Sequence, residues 1–147
     1  MNRSKLHSET ALGPDIKRFR RIVTRHNAQG RSAILSDEAS PHIMPLMGMP
    51  NFAVTDFWKA ESAPVDNSVG TSQDPCGVPI QIAPPAGGSV FRVTEFPSEK
   101  HWAAPADAMA ESSATNETAQ PASRIGGSRH PHMHRTRTLD YAIVTFR

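Results

Sequence analysis

The sequence predicts an all-β fold, and three observations carry that prediction. The segment Ser89 to Phe96 alternates between two faces, which is typical of a strand. The segment Phe52 to Lys59 is rich in residues with high strand propensity. Two short alternating segments near the amino terminus flank Asn27-Ala28-Gln29-Gly30, a sequence that favours a turn. These features indicate antiparallel strands joined by tight turns.

The first two strands are expected to form a hairpin. Residues 16–25 alternate imperfectly and form one strand with a wet face, and residues 32–36 return as its partner. Gly30 supplies the positive φ that the turn needs. The basic side chains of the first strand suit either a partner surface or a solvated edge, and the solvated edge is the favoured interpretation. These side chains are Arg18, Arg20, Arg21 and Arg25.

The segment from Asp37 to Pro50 is predicted to be a loop, because it is rich in proline and methionine. His42 lies in it, and a histidine isolated in a loop is more commonly solvent-exposed than bound to a metal. The strand at Phe52 to Lys59 follows. Its neighbours Phe57 and Trp58 should point to opposite faces, so that at least one of them anchors the core.

A second long loop is predicted for residues 63–77, which carry several glycines, prolines and serines. Its cysteine, Cys76, is the only one in the chain and is expected to be an inert thiol, since no basic neighbour is visible. Residues 78–82 are predicted to be a short strand, and Pro79, which cannot donate to a ladder, suits either an edge strand or the start of a strand. The segment Pro84 to Gly88 marks a break before the strand at Ser89.

Composition sets the domain organisation. The chain of 147 residues is long enough for one domain, with residues 1–15 expected to be disordered and residues 16–147 to form the domain. Residues 97–128 are rich in alanine, serine and threonine, and are expected to be a flexible insertion. A short helix is predicted within it at residues 102–111, because alanine favours helix.

Charge and hydropathy exclude several classes of function. The formal net charge is +2, and no basic patch interleaves with aromatic residues, so nucleic acid is not an expected partner. No segment is apolar and long enough for a membrane span. The amino terminus also lacks the apolar stretch of a secretory signal. Together with the single cysteine, these observations predict a cytoplasmic protein.

A histidine tract near residue 130 carries the densest metal-ligand chemistry. His130, His132 and His134 recur at every second position, and Asp140 follows. Alternate side chains of an extended strand share one face, at about 6 to 7 Å spacing. Imidazoles beside a carboxylate suit a metal that keeps open coordination positions. Asp140 could join through a continuous strand or through a turn at residues 135–138. The alternative is an exposed polar tract without a metal.

The tract His-Pro-His-Met-His-Arg-Thr-Arg-Thr-Leu-Asp-Tyr-Ala-Ile-Val resembles the first half of the first conserved motif of small cupin-domain proteins. Upstream segments at residues 20–24, 33–37 and 84–93 are similar to the amino-terminal part of one subgroup. That subgroup includes cupin oxidoreductases associated with polyketide products of the salicylaldehyde type. The resemblance spans about residues 19 to 144. It implies a cupin-like jelly-roll β-barrel.

The resemblance also implies a ligand set and a reaction class. His132 and His134 match the histidine pair of the motif, and Asp140 falls where the acidic residue usually lies, although Asp replaces the commoner Glu. His130 is a further candidate ligand. The expected cofactor is a divalent metal, with iron as the first choice. The expected partner is a small aromatic or polyketide-derived substrate, and no catalytic residue beyond the ligands is identified.

The second cupin motif does not follow Asp140 within this sequence. The resemblance therefore predicts that the carboxy-terminal half of the barrel is missing, or that a partner supplies it, for example in a homodimer. Three functional interpretations stay open. They are a metal-dependent oxidoreductase, a non-redox cupin accessory protein that binds a small molecule, and an inactive truncated product.

Overall fold

The computed structural model describes residues 10–46, 48–66, 74–98, 123–124, 134–135 and 138–145. The described residues form an all-β structure, as the sequence predicts, and they contain no helix. Their strands make three separate antiparallel sheets with the orders β1-β2, β3-β4-β5 and β6-β7. The strands are β1 Arg20–His26, β2 Ser32–Ala39, β3 Ile43–Leu46, β4 Met49–Ala60, β5 Ser89–Glu95, β6 Ser123–Arg124 and β7 His134–Arg135.

The predicted hairpin is confirmed. Strands β1 and β2 pair antiparallel around a turn in which Gly30 has φ of 71°. The Asn27 side chain closes the turn, because its Oδ1 accepts hydrogen bonds from the N–H groups of Gln29 and Arg31 at 3.0 and 2.9 Å. Strand β2 continues to Ala39, three residues beyond its predicted end. Its register shifts once, opposite Val23 and Thr24.

Strand β4 is the centre of the largest sheet. It pairs with β3 on one edge and β5 on the other, so the predicted strands at residues 52–59 and 89–96 are confirmed. The loop predicted for residues 37–50 is wrong in part, because Ile43–Leu46 pairs with β4. Pro45 lies within that strand, which sits at the edge of its sheet and so tolerates a residue without an N–H group.

The strand predicted at residues 78–82 is wrong, since this segment forms no strand in the structure. Its carbonyl groups have another partner. The Arg92 guanidinium donates to Gln81 O at 2.6 Å and to Ile82 O at 3.2 Å. The same guanidinium binds Asp56 on β4, with Nη2 at 3.0 Å from Oδ2. The Arg92 side chain therefore holds this loop against the sheet. It occupies two backbone carbonyl groups that would otherwise accept hydrogen bonds from a neighbouring strand.

The core lies along β4. Residues 52–56 of this strand are all buried, and Ile16, Val23, Ala60 and Cys76 are buried as well. The sequence predicts that at least one of Phe57 and Trp58 anchors the core, and Phe57 does so. Its ring contacts those of Phe19 and Phe91, with centroids 5.9 and 5.3 Å away, whereas Trp58 stays exposed. A register shift between Asp56 and Trp58 accompanies this difference.

The remaining predictions fall partly outside the described residues. The helix predicted at residues 102–111 lies outside them entirely. Strand β6, within the segment predicted to be a flexible insertion, pairs with β7.

Near the amino terminus, Gly13 donates its N–H to Pro50 O at 2.7 Å. A search of the described residues for a helix long and apolar enough to cross a membrane finds none.

Candidate functional site

The histidine tract reaches the described residues at its last member. His134 begins β7 and pairs with Arg124 of β6, so the backbone is extended at this position. His130 and His132 lie outside the described residues. An extended backbone is the conformation in which alternate side chains share one face. The structure therefore supplies the local backbone geometry that the predicted metal site needs at its final histidine.

Asp140, the predicted carboxylate ligand, is exposed to solvent and belongs to no strand. Its Oδ1 accepts a hydrogen bond from Thr138 Oγ1 at 3.0 Å. The chain bends at Thr138, the last residue of the segment 135–138 that is one of the two predicted routes for Asp140. Within the residues that the structure describes, no group of three histidine, cysteine or acidic side chains is close enough to hold a metal ion. The four-residue ligand set thus stays a prediction.

A second polar cluster lies where the hairpin meets β4, and we name it the Asp74 cluster. It consists of Arg21, His42, Asp74 and Cys76. Arg21 belongs to it because burial alternates along β1, where Arg21 and Val23 face inward while Arg20 and Ile22 face solvent. The exposed fraction of Arg21 is only 4%. The predicted solvated edge is therefore wrong at this position and holds for Arg18, Arg20 and Arg25.

Arg21 uses all three guanidinium nitrogens. Its Nε donates to Phe57 O at 2.7 Å, and its Nη2 donates to Asp74 Oδ1 at 2.8 Å. The Nη1 group completes a two-point interaction by donating to Asp74 Oδ2. The planar guanidinium fits a carboxylate in this way, which adds directional specificity to the ion pair. Arg21 thus joins the hairpin, the central strand and the loop that contains Asp74.

The Asp74 carboxylate accepts two further hydrogen bonds. The Cys76 N–H donates to Oδ1 at 2.9 Å, and His42 Nε2 lies 2.9 Å from Oδ2. Partial burial raises the pKa of Asp74, but the hydrogen bonds from Arg21, His42 and the Cys76 N–H outweigh it. The net result is a pKa well below the usual range for aspartate. Asp74 is therefore ionised throughout the neutral range and cannot serve as a general acid or base there.

His42 lies between β2 and β3, and its position is fixed from both its backbone and its ring. The His42 carbonyl accepts a hydrogen bond from the Asp56 N–H at 2.9 Å. The ring is mostly buried, and its contact with the Asp74 carboxylate requires a hydrogen on Nε2. The expectation of a solvent-exposed loop histidine is wrong, because Asp74 provides a partner that is 32 residues away in sequence.

The Cys76 thiol is buried at the edge of the same cluster. Burial raises its pKa, and the nearby Arg21 guanidinium counteracts this only in part. A thiol whose pKa is raised carries little thiolate at neutral pH, and the thiolate is the reactive form. The structure thus agrees with the predicted inert thiol, and it reveals the basic neighbour that the sequence did not show.

The Asp74 cluster has the chemistry of a structural junction. Both oxygens of the carboxylate accept two hydrogen bonds, and each nitrogen of the Arg21 guanidinium has an acceptor. The carboxylate oxygens are therefore fully engaged within the protein. A sequence signal for it did exist, since Asp74-Pro75-Cys76-Gly77 favours a turn in which the aspartate accepts a backbone N–H two residues on. Its partner Arg21 was not identifiable from local sequence.

A comparison of the chain with protein-family models and with curated proteins finds no match.

Proposed function

We propose that this protein is a cupin-type, metal-dependent oxidoreductase that acts on a small aromatic or polyketide-derived molecule. The observation that carries the proposal is the histidine tract, with imidazoles at every second position and an extended backbone at His134. His132 and His134 would be the principal ligands. His130 and Asp140 would complete the set, with Asp140 either binding the metal or orienting a ligand histidine.

The spacing of the tract supports this assignment. Side chains two residues apart on a strand project from the same face at a separation of about 6 to 7 Å. Two imidazoles on such a strand can turn toward a common ion at about 2 Å from each nitrogen. A set of imidazole and carboxylate ligands with open positions is typical of non-haem iron oxygenases. Bound iron would supply a redox centre at those open positions.

The fold supports the proposal at a coarser level. The described residues form antiparallel sheets without a helix, which is compatible with a jelly-roll barrel. The Asp74 cluster also favours the tract as the reactive site. Both oxygens of its carboxylate are engaged by donors within the cluster, each guanidinium nitrogen already has an acceptor, and its thiol has a raised pKa. The chemistry is therefore assigned to the histidine tract.

The first experiment measures metal content. The wild-type chain is purified without chelators, loaded with Fe²⁺ under anaerobic conditions, desalted, and analysed by elemental analysis. We expect about one metal per chain, and its loss in the variant His132→Ala/His134→Ala. The matched control is His26→Ala, which removes an exposed histidine of β1. A wild-type chain that retains no metal, or equal retention in all three proteins, would overturn the proposal.

A second measurement separates redox chemistry from simple binding. Oxygen consumption by the iron-loaded chain is followed with a panel of phenols and aromatic aldehydes. Uptake that needs both a panel member and the intact tract supports the oxidoreductase. Metal binding without any oxygen uptake, together with saturable binding of a panel member, would replace it by the non-redox accessory protein.

A further inference from the structure

The segment at residues 138–145 exposes a row of apolar side chains. Leu139, Tyr141 and Ile143 alternate along it and are 79%, 88% and 90% exposed. Val144 is exposed as well. Apolar side chains at every second position are typical of a strand with one face against a core. Contiguous exposed apolar surface of this kind marks a site that another surface covers.

The β1–β2 hairpin offers a matching surface. Its outer face carries Ile22 and Ile34, which are 51% and 64% exposed. They share this face because Ile34 pairs with Thr24, two residues from Ile22. Strand β1 pairs only with β2 among the described strands, so its other edge has free backbone groups in that part of the chain. An isolated two-stranded sheet is marginal in stability and gains from a third strand.

We propose that residues 139–144 of a second copy of this chain add to the free edge of β1 as an antiparallel strand. The chain itself contains both surfaces, the donor segment and the acceptor edge, and in the structure the donor segment stays uncovered. Two copies can therefore exchange segments reciprocally about a twofold axis. This mode of association, in which a strand extends a sheet, uses backbone hydrogen bonds for affinity and side chains for register.

Charge complementarity selects one register. Asp140 is the only charged residue at positions 138–145, and Arg25 is an exposed residue of β1. Pairing Asp140 with Arg25 in the antiparallel direction places Tyr141 opposite Thr24 and Ile143 opposite Ile22. In that register the apolar row lies on the outer face of the hairpin, beside Ile34. A shift by one residue would turn the row to the inner face, so charge and apolar pattern agree on a single alignment.

The reciprocal exchange also increases the buried area. A stable interface buries about 800 Å² on each partner, which one short segment docked on a strand does not provide. In the twofold arrangement each copy gives one segment and accepts another, which doubles the buried surface. The proposal shares Asp140 with the proposed metal site, but neither the apolar row nor the acceptor edge contains a histidine of the tract. The variant Tyr141→Lys/Ile143→Lys keeps every proposed metal ligand, so failure of the dimer and failure of the metal site can be told apart.

The mass of the chain in solution tests the proposal. Light scattering after size-exclusion chromatography should show a dimer for the wild type and a monomer for Tyr141→Lys/Ile143→Lys. The single variants Asp140→Arg and Arg25→Asp should each weaken the dimer by about tenfold. The double variant Asp140→Arg/Arg25→Asp should restore it, which a variant that merely misfolds could not do. The control Arg18→Asp changes an exposed arginine outside β1 and should leave the dimer intact.

A disulfide trap tests the register and the identity of the occupant. The variant Ile22→Cys/Ile143→Cys is oxidised and run on a non-reducing gel. A covalent dimer supports exchange between copies. A disulfide within one chain would show that the segment binds its own hairpin, and would overturn the proposal. A wild-type chain that stays monomeric up to about 0.1 mM would overturn it as well.

Discussion

The Arg21 guanidinium and the Asp74 carboxylate form a two-point ion pair across 53 residues of sequence. Arg21 also donates to Phe57 O, so the same side chain connects the β1–β2 hairpin to the central strand of the other sheet. Arg92 of β5 pairs with Asp56 of β4 and donates to the carbonyl groups of residues 81 and 82. Two arginine–carboxylate pairs therefore fix the loop at residues 74–82 against both sheets.

The first prediction concerns the stability that Arg21 contributes. The substitution Arg21→Met keeps much of the buried volume but removes every donor to Asp74 Oδ2 except His42, and leaves Phe57 O without its side-chain donor. Removing one partner of a mostly buried ion pair leaves the other charge uncompensated. We expect the free energy of unfolding to fall by about 2 to 4 kcal/mol. Urea denaturation followed by tryptophan fluorescence measures it.

The neighbouring arginine provides the matched control. Arg20 makes a similar two-point pair with Asp37, at 2.7 and 2.8 Å, but both side chains lie at the surface. Exposed ion pairs contribute little because water already solvates both charges. Arg20→Met should therefore change the denaturation midpoint far less than Arg21→Met. Equal losses from the two substitutions would contradict the structural role of the Asp74 cluster.

The second prediction is a dependence of stability on pH. The pKa of Asp74 lies below its ordinary value of 3.8 in the folded protein. The ionised form is thus stabilised by folding, and this stability is complete above about pH 5. It is lost as the pH falls below 3.8, through the lower pKa of the folded state. The variant Asp74→Asn should be less stable than wild type at pH 7, and this difference should shrink on acidification.

Urea unfolding of both proteins at several pH values from 7 down to about 2 gives the comparison. Other carboxylates that titrate in this range, such as Asp37, are present in both proteins and cancel in the difference. A difference that stays constant over the whole range would show that Asp74 gains nothing from ionisation in the folded state.

The strands that the sequence predicts correctly are those whose pattern is local. Strands β4 and β5 carry strong strand propensity and alternation, and the hairpin turn has Asn27 and Gly30 at the required positions. The sequence does not predict strand β3, because Met44 and Pro45 do not favour a strand by themselves. It exists because β4 offers an edge with which to pair. Pairing over distance overrides local preference in such segments.

The same distinction between local and distant signals applies to the two candidate sites. The histidine tract is visible because its spacing is local, and the structure gives an extended backbone at His134. The Asp74 cluster is invisible because its members come from three separate parts of the chain. From sequence alone, an arginine in a strand is predicted to be exposed unless its carboxylate partner is known. Only the folded chain brings Asp74 to Arg21.

The third prediction uses two adjacent glycines before β5. A Cβ atom at Gly88 would lie 2.1 Å from Ala60 O, a backbone atom that cannot move aside alone. Gly87 has φ of +76°, but a Cβ there would meet nothing within 4 Å. Gly87→Ala should therefore lower the free energy of unfolding by only about 1 kcal/mol, the penalty for alanine in a left-handed conformation. Gly88→Ala instead creates a steric conflict and should lower the free energy of unfolding by about 3 kcal/mol, near the upper end for overpacking.

The larger effect at Gly88 has a structural reason. Ala60 pairs with Ser89 at the end of the β4–β5 ladder, so relief of the conflict must separate the first pair of that ladder. Hydrogen exchange of the Ala60 and Ser89 amides would then increase in Gly88→Ala and stay unchanged in Gly87→Ala. If instead Gly87→Ala proved the more destabilising of the two, the backbone conformation before β5 would matter more than the close approach of Gly88 to β4.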